Sequence, residues 1–286
     1  MDSASVRRLI EAFTDSSANR LAPGRDEPAF DPPLVGFARG DDPLWDFLKK
    51  DIGEFFWTPE EAFANAFPDD PAEGADLRVI SWVLPQTGAT KAAQAKRKEF
   101  PAPEWSMVRL HGEAINEALR RHMVNALASW DVAACAPALS PEFQREYSDK
   151  YQYASRWSER HAAFMAGHGT FGLCDALITP VGKAHRVGSV VARVDLPASP
   201  RPWTDHHAHC LHFTKNRCRA CAKRCPAGAI SEHGHDKEKC RAYIRGTTAL
   251  HVEHRQLGVR VSSCGLCQAG VPCADGFPGV KKNKSG

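Results

Sequence analysis

Cys218-Arg219-Ala220-Cys221-Ala222-Lys223-Arg224-Cys225-Pro226-Ala227-Gly228-Ala229-Ile230 is the stretch whose reading decides the fold. Its cysteines follow C-x2-C-x3-C, with a proline directly after the third. Cys264 and Cys267 repeat the two-residue step, and Cys273 follows after five intervening residues. Cys210 lies upstream and Cys240 between the two groups, so eight of the ten cysteines fall between positions 210 and 273. Two cubane clusters need eight thiolates, and that match makes electron transfer the first functional expectation.

The spacing has a physical basis. A two-residue gap lets neighbouring thiolates reach adjacent corners of one cubane from a tight turn. The remaining corner is filled by a residue distant in sequence, and in two-cluster ferredoxins the cysteine before the proline ligates the other cluster. By that logic Cys210, Cys218, Cys221 and Cys273 hold one [4Fe–4S] cluster, and Cys225, Cys240, Cys264 and Cys267 hold the second. Cys210 departs from the pattern, because seven residues separate it from Cys218 where a ferredoxin has two. Structural zinc is the alternative, since paired C-x2-C steps also build sites of four thiolates. Zinc leaves the C-x3-C-P ending and the following Ala-Gly-Ala-Ile turn unexplained. Disulfides are not expected: Cys135 and Cys174 are scattered and nothing marks the chain as secreted.

The 286 residues leave room for one large or two modest domains, and 43% hydrophobic with 25% charged residues is ordinary for a globular protein. A formal charge of +3 gives no argument for nucleic acid. No apolar run approaches the roughly 18 residues of a membrane span. Arg7-Arg8 near the N-terminus is followed by an amphipathic stretch containing Glu11 and Asp15 rather than an export signal. A cytoplasmic location is the expectation.

Hydrophobic periodicity predicts a short helix over 3–14 capped by Ser3 or Ser5, then a Pro/Gly-rich surface stretch from Ala22 to Gly40. Thr58-Pro59-Glu60-Glu61 is a helix start, with a threonine cap, proline in the first position and acids in the first turn. Leu77 to Leu84, stopped by Pro85, reads as a buried strand. Trp105 to Ala128 carries apolar residues at helical spacing, Val132 to Ala136 is a second strand candidate, and Ser158 to Ala166 reads as a Ser-capped helix ending at Gly167. An apolar run over Phe171 to Ile178 and an alternating strand over Gly188 to Leu196 follow, and Pro197, Pro200 and Pro202 mark a linker. This interleaving predicts an α/β (α+β) layered core. The expected division is 1–70 as an N-terminal helical and irregular extension, 71–200 as the core and 201–280 as the ferredoxin-like module.

The chain resembles the superfamily of epoxyqueuosine reductases and reductive dehalogenases. The resemblance is carried by Leu77-Arg78-Val79-Ile80-Ser81, Ser158-Glu159-Arg160, Ala166 to Gly172, Leu177-Ile178-Thr179, Gly188-Ser189-Val190-Val191 and Asp195-Leu196-Pro197. It runs on through the cysteine groups and covers roughly residues 75 to 275. It implies a nitroreductase-like core that binds cobalamin, two [4Fe–4S] clusters that feed it electrons, and a small-molecule substrate. It also implies cofactor contacts at Gly167, Gly169 and Gly172, where missing side chains let backbone approach a flat macrocycle. Plain turn chemistry explains the same glycines. Glu159 and Arg160 are further cofactor-binding candidates, with a helix-start ion pair as the alternative. Tyr153 falls where the family places its proton donor; epoxyqueuosine reductases have an aspartate there and dehalogenases a tyrosine, and a phenol can protonate a developing anion. The substitution, and a chain that stops soon after its last cysteine, make tRNA an unexpected substrate, so no nucleic-acid partner is predicted.

His206, His207, His209 and His212 crowd the approach to Cys210 and are expected to pack or bond to peptide groups rather than bind metal. Cys174, just after the glycine-rich stretch, is placed to face the cofactor, with a buried, inert thiol as the commoner outcome for such a residue. Arg217, Arg219, Lys223 and Arg224 form a basic surface suited to an acidic electron donor such as a ferredoxin or flavodoxin. A cobalamin-free electron carrier on the same scaffold is the main alternative function.

Overall fold

The computed structural model describes residues 1–279. In chain order the first half comprises α1 (Ser3–Asp15), β1 (Leu34–Arg39), α2 (Leu44–Ile52), α3 (Pro59–Ala66), β2 (Leu77–Pro85), α4 (Gly88–Ala95) and α5 (Pro103–Ala128). There follow β3 (Ala134–Cys135), the hairpin β4 (Arg145–Ser148) and β5 (Gln152–Ser155), α6 (Glu159–Met165), the hairpin β6 (Thr170–Phe171) and β7 (Leu177–Ile178), and β8 (His185–Arg193). Strands β1, β2, β8 and β3 form one sheet in that order, every pair antiparallel.

Side chains alternate across a strand, so β2 serves two cores at once. Ile80, Trp82 and Leu84 face α1 and α5, where they meet Val6, Ile10, Val108, Leu119 and Met123. Leu77 and Val79 face the other way, toward Trp45 of α2, Phe63 of α3 and Phe164 of α6. β8 repeats the division, with Val190 and Ala192 on the first side and Val191 on the second. The result is a three-layer α/β/α arrangement, and β2 is buried at all nine positions because helices cover both of its faces. Three of the indoles in these cores find partners, Trp82 Nε1 donating to Asn116 Oδ1 (2.9 Å), Trp157 Nε1 to Ser189 Oγ (3.0 Å) and Trp45 Nε1 to Arg39 O (2.9 Å).

The helix over 3–14 is present, but Asp2 caps it, accepting from Ser5 N–H. The predicted surface stretch Ala22 to Gly40 contains β1, whose middle four residues are buried. With β1 hydrogen-bonded to β2 and α1 packed on α5, residues 1–70 are part of the core rather than an extension of it. Thr58 and Glu61 form a reciprocal capping box at α3. Val132 to Ala136 shrinks to the two residues of β3, and Ser158 caps α6.

The cysteine module contributes α7 (Leu211–Lys215), α8 (Ala220–Lys223), a short hairpin of β9 (Ile230–Ser231) and β10 (Gly234–His235), and α9 (Lys237–Tyr243). The last continues through a π-turn, Ile244–Thr248, into α10 (Ala249–Val252). Polar struts tie the module to the core. Gln94, fully buried on α4, donates to Cys264 O (2.7 Å) and accepts from Ala102 N (2.8 Å). Arg224 donates to Leu266 O (2.9 Å) and Arg97 O (2.9 Å), so it is a brace rather than part of a free basic surface. Arg217, Arg219 and Lys223 remain exposed, with Arg219 paired to Glu232.

His168 gives the core a pH dependence. It is 5% exposed, its Nε2 bonds Ser81 O (3.1 Å), and burial lowers its pKa to about 4. A histidine depressed in the folded state contributes stability that is complete above its unfolded pKa near 6.5 and is lost as pH falls toward 4. Its share of the loss at pH 4.5 is about 2.5 kcal/mol. Urea unfolding at pH 7 and pH 4.5 is expected to show this drop in wild type and a smaller one in His168→Gln.

Candidate functional site

A cavity of about 550 Å³ lies between the core and the cysteine module. One wall carries Cys225, Cys240, Cys264 and Cys267, the four that sequence spacing groups around one cluster. They arrive from separate segments: Cys225 just after α8, Cys240 from the middle of α9, and the Cys264–Cys267 pair from a loop whose Gly265 packs against Trp105. A Cβ on Gly265 would fall 2.1 Å from that indole, so only glycine seats the loop there. Burial raises the Cys264 thiol to about 11, and the pKa of Tyr243, whose hydroxyl donates to Glu99 O (2.9 Å), to about 12.

The other group sits largely in a small core of its own. Cys210 and Cys221, each 8% exposed, pack with Leu173, Cys174, Ile178 and Ile230, and Cys273 lies against them. Cys218 is half-buried just ahead of α8. Among the described residues no three His, Cys, Asp or Glu side chains converge to hold a single metal ion. A cubane spreads its thiolates over separate iron corners, so its ligands need not converge on one point.

The opposite wall is a polar network. Glu159, at the start of α6, accepts from Arg120 Nε (3.0 Å) and Ser189 Oγ (2.6 Å). Burial raises its pKa, while the Arg120 guanidinium and the Ser189 hydroxyl oppose the shift. Glu113 reaches Arg120 (3.6 Å) and Arg186 (2.8 Å), extending the network along α5. Both Glu159 and Arg160 line the cavity, as does His185, which burial holds neutral with a pKa of about 4. Arg160 donates to Asp175 O, and the Asp175 carboxylate bonds His235 Nδ1 (3.0 Å) on the cysteine side. Burial pulls His235 down, but Asp175 and Cys240 outweigh it and raise its pKa to about 10.

Other candidates lie differently. Gly167, Gly169 and Gly172 do not line the cavity. A Cβ on Gly167 would sit 2.3 Å from Pro200 O, and one on Gly169 1.9 Å from Ile178 O; the Gly172 position faces Ile178 Cδ1 at 3.2 Å. Their missing side chains let the chain pack on itself. Tyr153 is half-buried beneath the Arg241 guanidinium, 4.2 Å from its ring, and is not part of the lining. Ser155, two residues on and therefore on the same face of β5, does line it. The histidines pack and bond: His209 stacks on Phe277 (3.6 Å) and bonds Thr170 Oγ1 (2.9 Å), His207 stacks on Phe213 (3.8 Å), and His212 bonds Glu232 O (3.1 Å). Sequence reasoning missed Arg120, Arg186, Lys183, His185 and His235; only helical periodicity marks Arg120, and nothing local marks the others.

No family model matches the sequence, and no curated protein matches it. Solved structures do. The chain is similar to the catabolic reductive dehalogenase NpRdhA, with a TM-score of 0.50 and 15% identity, over 96% of this chain and 37% of that one. The same enzyme in complex with 3-bromo-4-hydroxybenzoic acid matches at 0.50 and 16%, with the same coverage. Epoxyqueuosine reductase from Bacillus subtilis is matched at 0.48 and 16%, over 96% of this chain and 66% of that one. The chain thus shares the dehalogenase fold over nearly its whole length while spanning about a third of that enzyme. Among the described residues no helix is long and apolar enough to cross a membrane.

Proposed function

We propose that this protein is a reductase that passes electrons through two [4Fe–4S] clusters to an acceptor held in the 550 Å³ cavity, with cobalamin as that acceptor and a small molecule as the final substrate. The observation that carries the reading is the cavity itself, lined by Cys225, Cys240, Cys264 and Cys267 together with Cys174, and by a buried polar network. Beside the space that a cluster on Cys225, Cys240, Cys264 and Cys267 would take, it offers convergent polar groups in Glu159, Arg160 and His185. Bound there, cobalamin supplies a cobalt centre that accepts single electrons and delivers them to substrate.

The protein's own residues have distinct tasks. Cys225, Cys240, Cys264 and Cys267 hold one cluster against the cavity, which gives the shortest path for an electron entering it. Cys210, Cys218, Cys221 and Cys273 hold the other, near the exposed Arg217, Arg219 and Lys223, where an acidic ferredoxin or flavodoxin docks. The Arg120–Glu159–Ser189 network fixes the facing wall, so the acceptor meets oriented dipoles instead of mobile water. Tyr153, on the same face of β5 as the cavity-lining Ser155, is assigned as the proton donor.

Tyr153→Phe is expected to retain its iron and its cobalamin affinity while turnover falls by about 10²-fold or more. Wild-type turnover would remove Tyr153 from the reaction. The proposal as a whole is tested by titrating cobalamin into anaerobically purified protein and following the absorbance. A saturable spectral shift supports it. No shift, with clusters present, moves the protein to a second reading: a cobalamin-free electron carrier on the same scaffold. The packing of Gly167 and Gly169 against their own chain favours that second reading, because it leaves neither glycine open to a macrocycle.

A further inference from the structure

Lys183 is 2% exposed, and among the described residues its ammonium donates to Cys174 Sγ at 3.3 Å. No carboxylate among the described residues lies within ion-pairing distance, and the cysteines that pack around its partner Cys174 include Cys221, Cys267 and Cys273. A buried ammonium without a counter-charge is costly, and proteins rarely keep one. The backbone nevertheless holds it firmly. Gly182 has φ +91°, Thr179 Oγ1 donates to its carbonyl (2.7 Å), and a Cβ there would fall 1.9 Å from Ala274 O. This turn therefore presses directly on the segment that carries Cys273, and Lys183 follows it inward. Cys174 in turn packs in one small core with both Cys221 and Cys267. By the sequence grouping those two belong to different clusters, so the Cys174–Lys183 pair stands at the boundary between them.

We propose that Lys183 is the built-in counter-charge of the iron–sulfur module, a positioning residue that sits between the two clusters with Cys174 and raises the reduction potentials of both. The inference rests on the two-cluster reading. Each reduction adds one electron, supplied by the external donor, and one negative charge to an already anionic cluster. A fixed cation in a site that excludes water stabilises that added charge more than the same cation would at the surface. Cys221 and Cys273 of one group and Cys267 of the other pack around the Cys174 that holds the ammonium, so the cation stands beside both. Cys174 is accordingly not an idle core thiol: it carries the hydrogen bond that aims the ammonium.

The test is a redox titration followed by electron paramagnetic resonance on wild type, Lys183→Met and Lys183→Arg, with iron and sulfide measured on each sample. The expected result is full iron in all three, both potentials shifted to more negative values in Lys183→Met, and near-wild-type potentials in Lys183→Arg. Full iron with unchanged potentials in Lys183→Met would overturn this inference and leave the two-cluster reading standing. Wild-type protein without iron would overturn both. Should Lys183→Met lose its clusters, Lys183→Arg decides: retained clusters and potentials support a requirement for charge, and loss of iron there too would mark Lys183 as a requirement of shape and overturn the proposal.

Discussion

Cys225→Ser is expected to cut the iron content of anaerobically purified protein from about eight to about four atoms per chain. Cys225 stands at the junction of the module: it ends the α8 turn, lines the cavity, and its Sγ accepts from Ala229 N (3.3 Å) within the turn that follows Pro226. The proposed cluster would tie α8, α9 and the 264–267 loop together. Ligand binding and folding are coupled in such a site, so the loss is structural as well as redox. Proteolysis is expected to cut the variant within the module, with the core largely intact. Metal and sulfide analysis gives the direct readout, and undiminished iron in Cys225→Ser would remove Cys225 from the ligand set.

Arg120→Met is expected to carry the largest stability loss outside the module, about 3 kcal/mol, or about 5–10 °C in melting temperature. Arg120 side-chain exposure is 4%, and it satisfies Glu159 and Glu113 while donating to Val187 O (3.3 Å). Removing it leaves Glu159 buried with only Ser189 as a partner. Burial already pushes that carboxyl up, so without the guanidinium it takes a proton, which caps the penalty below that of a stranded charge. The double variant Arg120→Met/Glu159→Gln is therefore expected to recover part of the loss. Additive losses in thermal unfolding would show that the pair is not coupled.

Some of this architecture is legible in the sequence, for definite reasons. Leu77 to Pro85 declares itself because helices cover both faces of the strand, which makes the run continuously apolar. Thr58-Pro59-Glu60-Glu61 spells out its cap in side chains that act locally. The edge strand Leu34–Arg39 was hidden, since Pro32, Pro33, Gly36 and Gly40 around and within it read as loop. Proline before an edge strand costs no ladder bond, so the same residues suit both readings. Helix α4 was passed over for its alanine-rich, weakly patterned sequence, although Thr87 caps it in the usual way.

The site divides along the same line. Cysteine spacing is a local signal and groups Cys225, Cys240, Cys264 and Cys267 without a structure, and the structure sets those four on one wall. The facing wall joins Glu113, Arg120, Glu159 and Arg186 across large sequence separations, and no local pattern encodes it. The glycines at 167 and 169 look alike as turn residues and as cofactor contacts; only the position of Pro200 and Ile178 tells which atoms they make room for. Lys183 was invisible for a related reason, because a lysine after a glycine reads as surface until Ala274 is seen to close over that turn.

The proposed function requires two electron-transferring clusters in the cysteine module, one of them against the cavity. Iron and acid-labile sulfide analysis of anaerobically purified protein, with Mössbauer spectra of the iron-57 form, tests it most directly. The account predicts about eight iron and eight sulfide per chain in two cubane environments. About two zinc per chain with no iron or sulfide would contradict it and make the module a structural one.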